Sequence, residues 1–323
     1  MKNLKKLLVC LLLVLSVFVF TGCKDKGNVV VGILQTATHS ALEDAKDGFV
    51  ETLKANGYEN ATFVVKNPEG DPNMMNTMAT ELIRKSDIVL GIGTPAAVAL
   101  QSARDAEEVE VVILFTAVTD PVSGGLMEDV NNPTDITGTN DMNPVADQVD
   151  LIIELQPEIK KLGVLYNVSE VNSLVQAEMV KVQAAKKGIE VVIKTVAEAV
   201  EITAATTALI QNDKVEAIYL PTDHLIASNV PAVTAVCEEF KVPTICGESG
   251  MLKAGGTITY SINYKALGVL TGEMAVKILN GTPCSEVPST SVDTTGLEVA
   301  INLESITALG IEVPQSIKDK LSK

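Results

Sequence analysis

Short, continuous apolar runs alternate along this chain with longer segments in which apolar residues recur every three or four positions. Runs of the first kind predict strands buried on both faces, and segments of the second kind predict amphipathic helices that pack against them. In the first third of the chain the predicted strands are Val29–Leu34, Thr62–Val65, Ile88–Ile92 and Val111–Phe115. Helices are predicted to begin at Ala41, after Asp71 and at Pro95. This alternation is typical of an α/β fold in which helices cover both faces of a parallel sheet.

Polar residues follow three of the predicted strands. After Ile92 comes Gly93-Thr94-Pro95, so we expect the Thr94 hydroxyl to cap a helix that leaves the amides of Ala96 and Ala97 free. Hydroxyls of Thr116 and Thr119 follow the next strand, and Thr222 and Asp223 follow a later one. Helix N-termini at the carboxyl edge of a parallel sheet bind small anions such as carboxylates. Strand ends that meet in one cleft would therefore form a binding site.

The first long helix carries a local start signal. Ser40 is followed three residues later by Glu43, which is the pattern of a capping box. This pattern predicts that Ser40 is the N-cap and that the helix begins at Ala41. Gly57 is expected to end it.

The second half of the chain repeats the first at an offset near 130 residues. Leu162–Tyr166 corresponds to Val31–Gln35, and a helix predicted over Asn172–Lys187 ends at Gly188 as the earlier one ends at Gly57. An offset of this length indicates a duplicated domain, hence two similar lobes with a cleft between them. Crossings between the lobes are predicted at Ile136–Asp141, Ile258–Ile262 and Leu297–Ile301, and the helix Lys265–Leu279 is expected to pack back on the first lobe. We assign residues 29–138 with 262–285 to lobe 1 and residues 139–261 with 286–323 to lobe 2.

The N-terminus has the pattern of an export signal. Lys2, Lys5 and Lys6 precede an apolar run from Leu7 to Phe20, which stops at Thr21-Gly22-Cys23. The Thr-Gly-Cys ending resembles the lipobox of bacterial lipoproteins, although Phe20 replaces the more usual leucine. We therefore expect residues 1–22 to be a lipoprotein signal peptide, Cys23 to be the lipidation site, and residues 23–28 to be a tether on the extracytoplasmic face of the cell membrane.

Charge and cysteine content narrow the functional classes. The formal charge is −16, and removal of the three lysines in residues 1–22 brings the mature chain near −19. So acidic a chain lacks the cationic surface that nucleic-acid binding requires. Beyond Cys10 and Cys23 there remain Cys237, Cys246 and Cys284, with His39 and His224 as the two histidines. This set has neither zinc-ligand spacing nor the number of a disulfide framework, so we expect no metal and no cofactor.

A known family resembles this chain along nearly its whole mature length. The segments that carry the resemblance include Val31-Gly-Ile-Leu-Gln, Gly93-Thr-Pro-Ala-Ala, Phe115-Thr-Ala-Val-Thr-Asp-Pro-Val, Tyr219-Leu-Pro-Thr-Asp and Gly247-Glu-Ser-Gly-Met. In this order they resemble the substrate-binding lipoproteins of ABC transporters, of the tryptophan/tyrosine-binding type. The resemblance implies two Rossmann-like lobes, three hinge crossovers and a ligand cleft, as in type I periplasmic binding proteins. It also implies delivery of an aromatic or hydrophobic amino acid to a permease and its ATPase.

Candidate residues for such a ligand divide by charge. Thr94, Thr116 and the amides of Ala96 and Ala97 are suited to the ligand carboxylate, and Asp223 with Glu248 to its ammonium. Plain helix capping is the alternative role for Asp223, Glu170, Asn172 and Ser173. Tyr166 could stack on an aromatic ligand or merely close its strand, and we expect His39 and His224 to be surface polar residues. The remaining expected ligand contacts are Thr119, Asp141, Asn167, Ser169, Glu170, Asn172 and Thr222.

Other functions fit the sequence less well. Gly247-Glu248-Ser249-Gly250 lacks the Gly-x-Ser-x-Gly spacing of a hydrolase elbow, and Gly91-Ile92-Gly93 is only the beginning of a dinucleotide fingerprint. A nucleoside or sugar site would usually carry several stacking aromatics, whereas this chain has no Trp, five Tyr and six Phe. An adhesin or sensor with the same fold remains open as a further alternative.

Overall fold

A computed structural model of the protein describes residues 29–292 and 297–321. It contains two largely parallel β-sheets that follow one another along the chain. The signal peptide, Cys23 and the tether lie outside the described residues. The strands of the first sheet are β1 (Val30–Gln35), β2 (Thr62–Lys66), β3 (Ile88–Ile92), β4 (Val112–Val118) and β5 (Ile136–Asn140). Those of the second are β6 (Lys161–Asn167), β7 (Glu190–Val196), β8 (Ala217–Leu220), β9 (Thr244–Cys246), β10 (Ile258–Ile262) and β11 (Leu297–Ile301).

Helices connect the strands and cover both sheets. Those of the first half are α1 (Ser40–Leu53), α2 (Pro72–Lys85), α3 (Thr94–Glu107) and α4 (Val145–Leu155). The second half contributes α5 (Val171–Lys186), α6 (Ile202–Gln211), α7 (His224–Ala227), α8 (Val230–Phe240), α9 (Ser249–Lys253), α10 (Tyr264–Leu279), α11 (Leu303–Leu309) and α12 (Gln315–Lys318). Among the described residues, no helix is both long and apolar enough to cross a membrane.

The strand order confirms the predicted pair of α/β lobes. It is β2-β1-β3-β4-β5 in the first sheet and β11-β10-β9-β8-β6-β7 in the second. Each sheet has a hydrophobic cluster on either face, and every residue of β3 and β8 is buried, as the continuous apolar runs predicted. One pairing differs from the expected parallel arrangement, because β11 runs antiparallel to β10. Between these two strands the chain passes through α10 and then returns to the second sheet.

Helix α10 returns the chain to the first lobe, as the sequence predicted. It packs against α1 so closely that a Cβ at Gly268 would lie 1.9 Å from the Ala45 carbonyl oxygen. Gly48 on α1 makes the reciprocal approach, with its Cβ position 2.3 Å from the Lys265 carbonyl oxygen. Two glycines therefore allow the helices to meet backbone to backbone, which fixes the second crossing.

The exact lobe boundaries remain a proposal, and the structure changes the one predicted between residues 285 and 286. Residues 286–323 were assigned to the second lobe, but the amide of Ser289 donates to the Val130 carbonyl and that of Thr290 to the Gly138 carbonyl. The amide of Asn140 donates in turn to the Thr290 carbonyl at 2.8 Å. Because these bonds extend the edge of the first sheet and Val292 packs against a hydrophobic cluster of the first lobe, we place the last boundary after Val292.

Candidate functional site

The two lobes touch across the cleft between their carboxyl edges. The Oγ1 atoms of Thr119, after β4, and Thr222, after β8, are 3.0 Å apart. At the rim, the Lys253 ammonium on α9 lies 3.0 Å from the Asp44 carboxylate on α1. These contacts join residues of opposite lobes, so the cleft is closed.

A small polar cavity lies in the middle of this closed interface. Its walls come from both lobes and from the two crossings: His39, Leu42, Asp141, Thr222, Asp223, His224, Ala227, Glu248 and Tyr264. The volume is about 10 Å³, which is close to the space needed by a single water molecule.

Three carboxyl groups, those of Asp141, Asp223 and Glu248, line this cavity. A fourth, that of Glu170, accepts from the backbone amide of His224 in the cavity wall. Asp141, at the first crossing, is 2% exposed and accepts a hydrogen bond from the Tyr264 hydroxyl at 2.7 Å through Oδ2, while its Oδ1 has no partner among the described residues. Glu248 accepts from the amides of Gly250 and Met251 at the start of α9. Neither this cavity nor the larger one described below has a lysine or arginine in its described lining. The site therefore holds an excess of buried acidic groups.

Asp223 and Glu170 share the start of α7. Asp223 accepts from the Ile226 amide at 2.9 Å, the Asn167 amide at 2.7 Å and the Ser173 hydroxyl at 2.8 Å. Glu170 accepts from the amides of His224 and Leu225 at 3.1 and 3.3 Å. The capping role that the sequence offered as an alternative for Asp223 and Glu170 is therefore present for both at the start of α7. Glu248, for which no such role was predicted, caps α9, and it lines the cavity as Asp223 does.

Burial is the main cause of the raised pKa values of the carboxyl groups in the cleft. It raises the pKa of Glu248 to about 7 against the opposing hydrogen bonds from Gly250 and Met251. It also raises the pKa of Asp141 and Glu170. The pKa of Asp223 is raised well above its usual value by burial and then by the nearby negative charge of Glu170. A cationic ligand would relieve this unfavourable burial of negative charge.

His39 and His224 form a pair across the cleft, which the sequence did not predict. We expected surface positions, but the two rings stack with centroids 5.4 Å apart, and His39 Nε2 lies 3.1 Å from His224 Nδ1. Burial lowers the pKa of His39 to about 3, with a further contribution from His224, and burial lowers that of His224 to about 4. Both rings are therefore neutral near pH 7. The residues are 185 positions apart, so no local pattern could have paired them.

The anion site predicted at the start of α3 is not formed there. Gly93, not Thr94, is the N-cap, and the Thr94 hydroxyl is buried without a partner among the described residues. The Ala96 amide donates to Thr36 Oγ1 at 3.3 Å, and the Ala97 amide donates to the Gly93 carbonyl at 3.1 Å. The loop after β1 thus occupies the Ala96 amide, and the first backbone bond of the helix occupies the Ala97 amide.

Thr116 is also unavailable to a ligand. It is fully buried, and its hydroxyl lies 3.0 Å from the hydroxyl of Thr139. Of the predicted donor set for a carboxylate, the structure thus engages Thr116 and the amides of Ala96 and Ala97 elsewhere and leaves only the buried Thr94 hydroxyl without a partner.

Free donors occur instead at the start of α1. The predicted capping box is absent: His39 is the N-cap and makes no side-chain cap, while Glu43 accepts from Gln35 and Lys46. Among the described residues no acceptor bonds the amides of Ser40, Ala41 and Leu42, and the Ser40 hydroxyl also lacks a partner. A Cβ at Gly250 would lie 2.7 Å from that hydroxyl, so Ser40 faces the second lobe. A 14-residue helix therefore points an uncapped N-terminus into the cleft.

The other predicted residues divide between the cleft and the core. Thr119 and Thr222 meet across the interface, where the Gln176 side chain also donates to Thr222 Oγ1. The side-chain amide of Asn172 donates to the Thr222 carbonyl at 2.7 Å. Tyr166 instead packs in the hydrophobic core of the second lobe and lines neither cavity. Its alternative role, closing the end of β6, is the one the structure supports.

A second and larger cavity opens on the other side of His224. It measures about 630 Å³ and includes Asn167, Ser169 and Glu170 in its walls. The remaining walls come from the loops after β1, β2 and β7, the N-terminal parts of α2 and α3, and α7 with the two residues that follow it. In the described part of the chain, no group of three or more His, Cys, Asp or Glu side chains could hold a metal ion.

Comparisons with known proteins agree with this architecture. The profile of the ABC transporter substrate binding protein family matches residues 30–322. A tyrosine-binding protein of Clostridioides difficile is 33% identical over 319 residues, which cover 93% of this chain and 90% of that protein.

Two crystal structures show related chains in different states. An ABC domain from Streptococcus pneumonia in complex with L-Trp is 33% identical, with a TM-score of 0.85 over 91% of this chain and 99% of that one. A ligand-free, open substrate-binding protein with adhesive properties from Clostridium difficile is 35% identical, with a TM-score of 0.67 over 91% of this chain and 98% of that one. The family match and these identities over nine-tenths of the chain show that the protein belongs to the ABC transporter substrate-binding protein family.

Proposed function

We propose that this protein is an extracytoplasmic, lipid-anchored binding component of an ABC importer. In this proposal it captures an aromatic or other hydrophobic amino acid between its lobes and delivers it to a permease and its ATPase. Cys23 carries the lipid, and the protein is a carrier without catalytic activity of its own.

The observation that carries the proposal is the uncompensated acidity of the cleft. Asp141, Asp223 and Glu248 surround the polar cavity, and no cationic side chain lies in its described lining. Buried carboxylates are costly unless a positive charge pairs with them. The ammonium group of an amino acid supplies that charge, whereas a neutral sugar does not. This chemistry favours an amino acid over the sugar alternative.

The uncapped start of α1 accounts for the other end of an amino acid. Free amides and the positive end of the helix dipole favour a carboxylate. Leu42 of this first turn lines the same cavity as Asp141 and Glu248. Donors for the carboxylate therefore lie beside the acceptors for the ammonium, as a zwitterion requires.

The arrangement of the lobes also supports ligand capture by closure. At similar identity and coverage, the chain resembles the L-Trp complex (TM-score 0.85) more closely than the ligand-free, open structure (TM-score 0.67). The interlobe contacts described above fit the same closed state. We propose that rotation occurs at the three crossings between the lobes, and that the ligand favours the closed state by contacting both lobes.

The relatives support an aromatic amino acid as the ligand and suggest surface adhesion as a second candidate function. One relative is named a tyrosine-binding protein and another was solved with L-Trp, which supports an aromatic ligand here. The adhesive properties given for the Clostridium difficile structure keep a surface-adhesion role as a second candidate. Adhesion and amino-acid capture are compatible in one protein.

Calorimetric titration of the mature chain against the twenty amino acids, nucleosides and simple sugars tests the proposal. Copurified ligand is first removed by unfolding and refolding. We expect one-to-one binding of tryptophan, tyrosine or phenylalanine. Binding of a sugar or nucleoside with no response to any amino acid would overturn the assignment.

The Asp141→Asn variant tests whether a buried carboxylate pairs with the ammonium of the ligand. Loss of a charged acceptor should weaken amino-acid binding by roughly 2 kcal/mol, about 30-fold. Thermal unfolding should change little, because the amide oxygen can still accept from Tyr264 and a buried charge is removed. Asp47→Asn, an equal change of charge on the exposed side of α1, should leave affinity as in the wild type.

A further inference from the structure

The polar cavity cannot hold a whole amino acid. At about 10 Å³ it accommodates a group the size of one water molecule, such as an ammonium. The side chain of a large amino acid must therefore lie elsewhere. The 630 Å³ cavity is the adjacent space of sufficient size, and His224 lines both cavities.

We propose that this larger cavity receives the side chain of the bound amino acid and selects for large side chains that carry no negative charge. The inference rests on the proposed function, since it assumes that the ligand is an amino acid. It assigns specificity to residues outside the polar site: Met75, Val98 and Ala99 on the first lobe, and Leu225 on the second.

The shape and lining of the cavity carry this assignment. Its volume falls within the range of small-molecule sites, which are mostly apolar with a few polar groups. Met75 and Ala99 are almost fully buried, Val98 and Leu225 are half-buried, and the four supply aliphatic surface from opposite lobes. A flat or branched side chain placed between them would be covered on both sides when the lobes close.

Charge restricts the ligand further. The charged side chains in the described lining are Glu69 and Glu170, both acidic. Each is already hydrogen-bonded, Glu69 to the amide and hydroxyl of Thr38 and Glu170 to the amides of His224 and Leu225. An acidic ligand side chain would meet like charge and no free cation. Aspartate and glutamate should therefore be rejected.

Filling the cavity from one wall tests the proposal. In Val98→Phe the added ring occupies space above the aliphatic surface of α3. We expect the ratio of affinities for phenylalanine and alanine to fall at least tenfold, because the small ligand still fits. Val182→Phe is the matched control, since Val182 is a helical valine that is 58% exposed and lines neither cavity. Affinities are measured by calorimetric competition, and folding by circular dichroism.

The outcomes separate the two proposals. If folded Val98→Phe keeps the wild-type affinity ratio, the side-chain assignment is wrong while amino-acid capture stands. If the wild type binds no amino acid, the proposed function fails and this inference fails with it. Should Val98→Phe not fold, Leu225→Ala removes apolar surface from the opposite wall, and a roughly tenfold loss of phenylalanine affinity supports the assignment, whereas unchanged affinity overturns it.

Discussion

Asp223 and Glu248 show how one carboxylate can both cap a helix and line a binding cavity. Each accepts hydrogen bonds from the first amides of a short helix, and each faces the cavity between the lobes. Sequence reasoning treated capping and ligand binding as alternatives for Asp223. They coexist because a carboxylate has two oxygens and about four sites for accepting hydrogen bonds. An ammonium can therefore approach without breaking the caps.

The raised pKa of Glu248 predicts that ligand affinity depends on pH. Below its pKa of about 7 this group is protonated in the unliganded protein, and an ammonium must displace that proton to gain a charged partner. We expect affinity to fall as pH decreases from 8 to 6, by up to about tenfold per pH unit for each proton displaced. Calorimetry in buffers of different ionisation enthalpy should detect proton release on binding near pH 7.

Glu248→Gln is the variant that removes the contribution of Glu248 to this effect. Its affinity should be lower at pH 8, and its pH dependence between 6 and 8 should be flatter. The paired histidines do not contribute in this window, because their pKa values of about 3 and 4 keep them neutral. Affinity that is constant from pH 8 to 6 in the wild type would contradict a charged carboxylate partner for the ligand.

At the scale of single elements, the start of α1 is where the local pattern misleads most. Ser40 and Glu43 fit a capping box, yet His39 is the N-cap and the first amides stay free. Glu43 is drawn away by Gln35 and Lys46. An uncapped helix is locally unfavourable. Such a start is consistent with a cap that a ligand supplies.

Ser40→Pro tests whether the α1 amides bind the ligand. Proline is well tolerated in the first turn of a helix, and His39 before it already has the extended backbone that proline requires (φ −155°, ψ 160°). The helix should therefore persist while one amide donor is lost. We expect amino-acid affinity to fall about tenfold, with little change in thermal unfolding, as measured by calorimetry and circular dichroism.

Ser40→Ala provides the comparison, since it keeps the amide and removes only the hydroxyl. A larger loss in the proline variant than in the alanine variant assigns the contact to the backbone. Equal, wild-type affinity in both variants would show that the start of α1 does not hold the ligand.

The strands and their order of succession were predictable because their signal is local. A run such as Ile88–Ile92 must be buried on both faces whatever else the chain does, and the repeat near 130 residues reveals the second lobe. The anion site predicted at the start of α3 is not formed there, in part because the hydroxyl of Thr36, 60 residues earlier, accepts a hydrogen bond from the Ala96 amide. The antiparallel direction of β11 was not predicted, because the apolar pattern that identifies a strand does not show which way the strand runs in its sheet.

At the scale of the whole molecule, closure brings together residues that share no local pattern. His39 meets His224, and Thr119 meets Thr222, only because two lobes face one another. Sequence predicted the cleft and several of its residues, including Asp141, Thr222, Asp223 and Glu248. It could not predict which groups would touch across the cleft, since that depends on how far the lobes close. The functional contacts of this fold are therefore the part least accessible from sequence.

The rim ion pair allows closure to be tested without replacing a residue that lines the ligand site. Lys253 and Asp44 belong to opposite lobes, are partly exposed and line neither cavity that we assign to the ligand. Lys253→Glu places two negative charges at a contact that exists only in the closed state. Ligand should then dissociate faster and bind about two- to fivefold more weakly, the range expected for an exposed pair. Stopped-flow dissociation and calorimetry at low salt measure both effects.

The exchanged pair, Asp44→Lys with Lys253→Glu, supplies the decisive comparison. If closure forms this contact, the double variant recovers affinity that Lys253→Glu alone loses, and the difference between the variants shrinks as salt rises. Equal affinities for the single and double variants at low salt would mean that the bound state does not bring α1 and α9 together. The coupling between these residues thus reports lobe closure, because neither residue contacts the ligand in the proposed site.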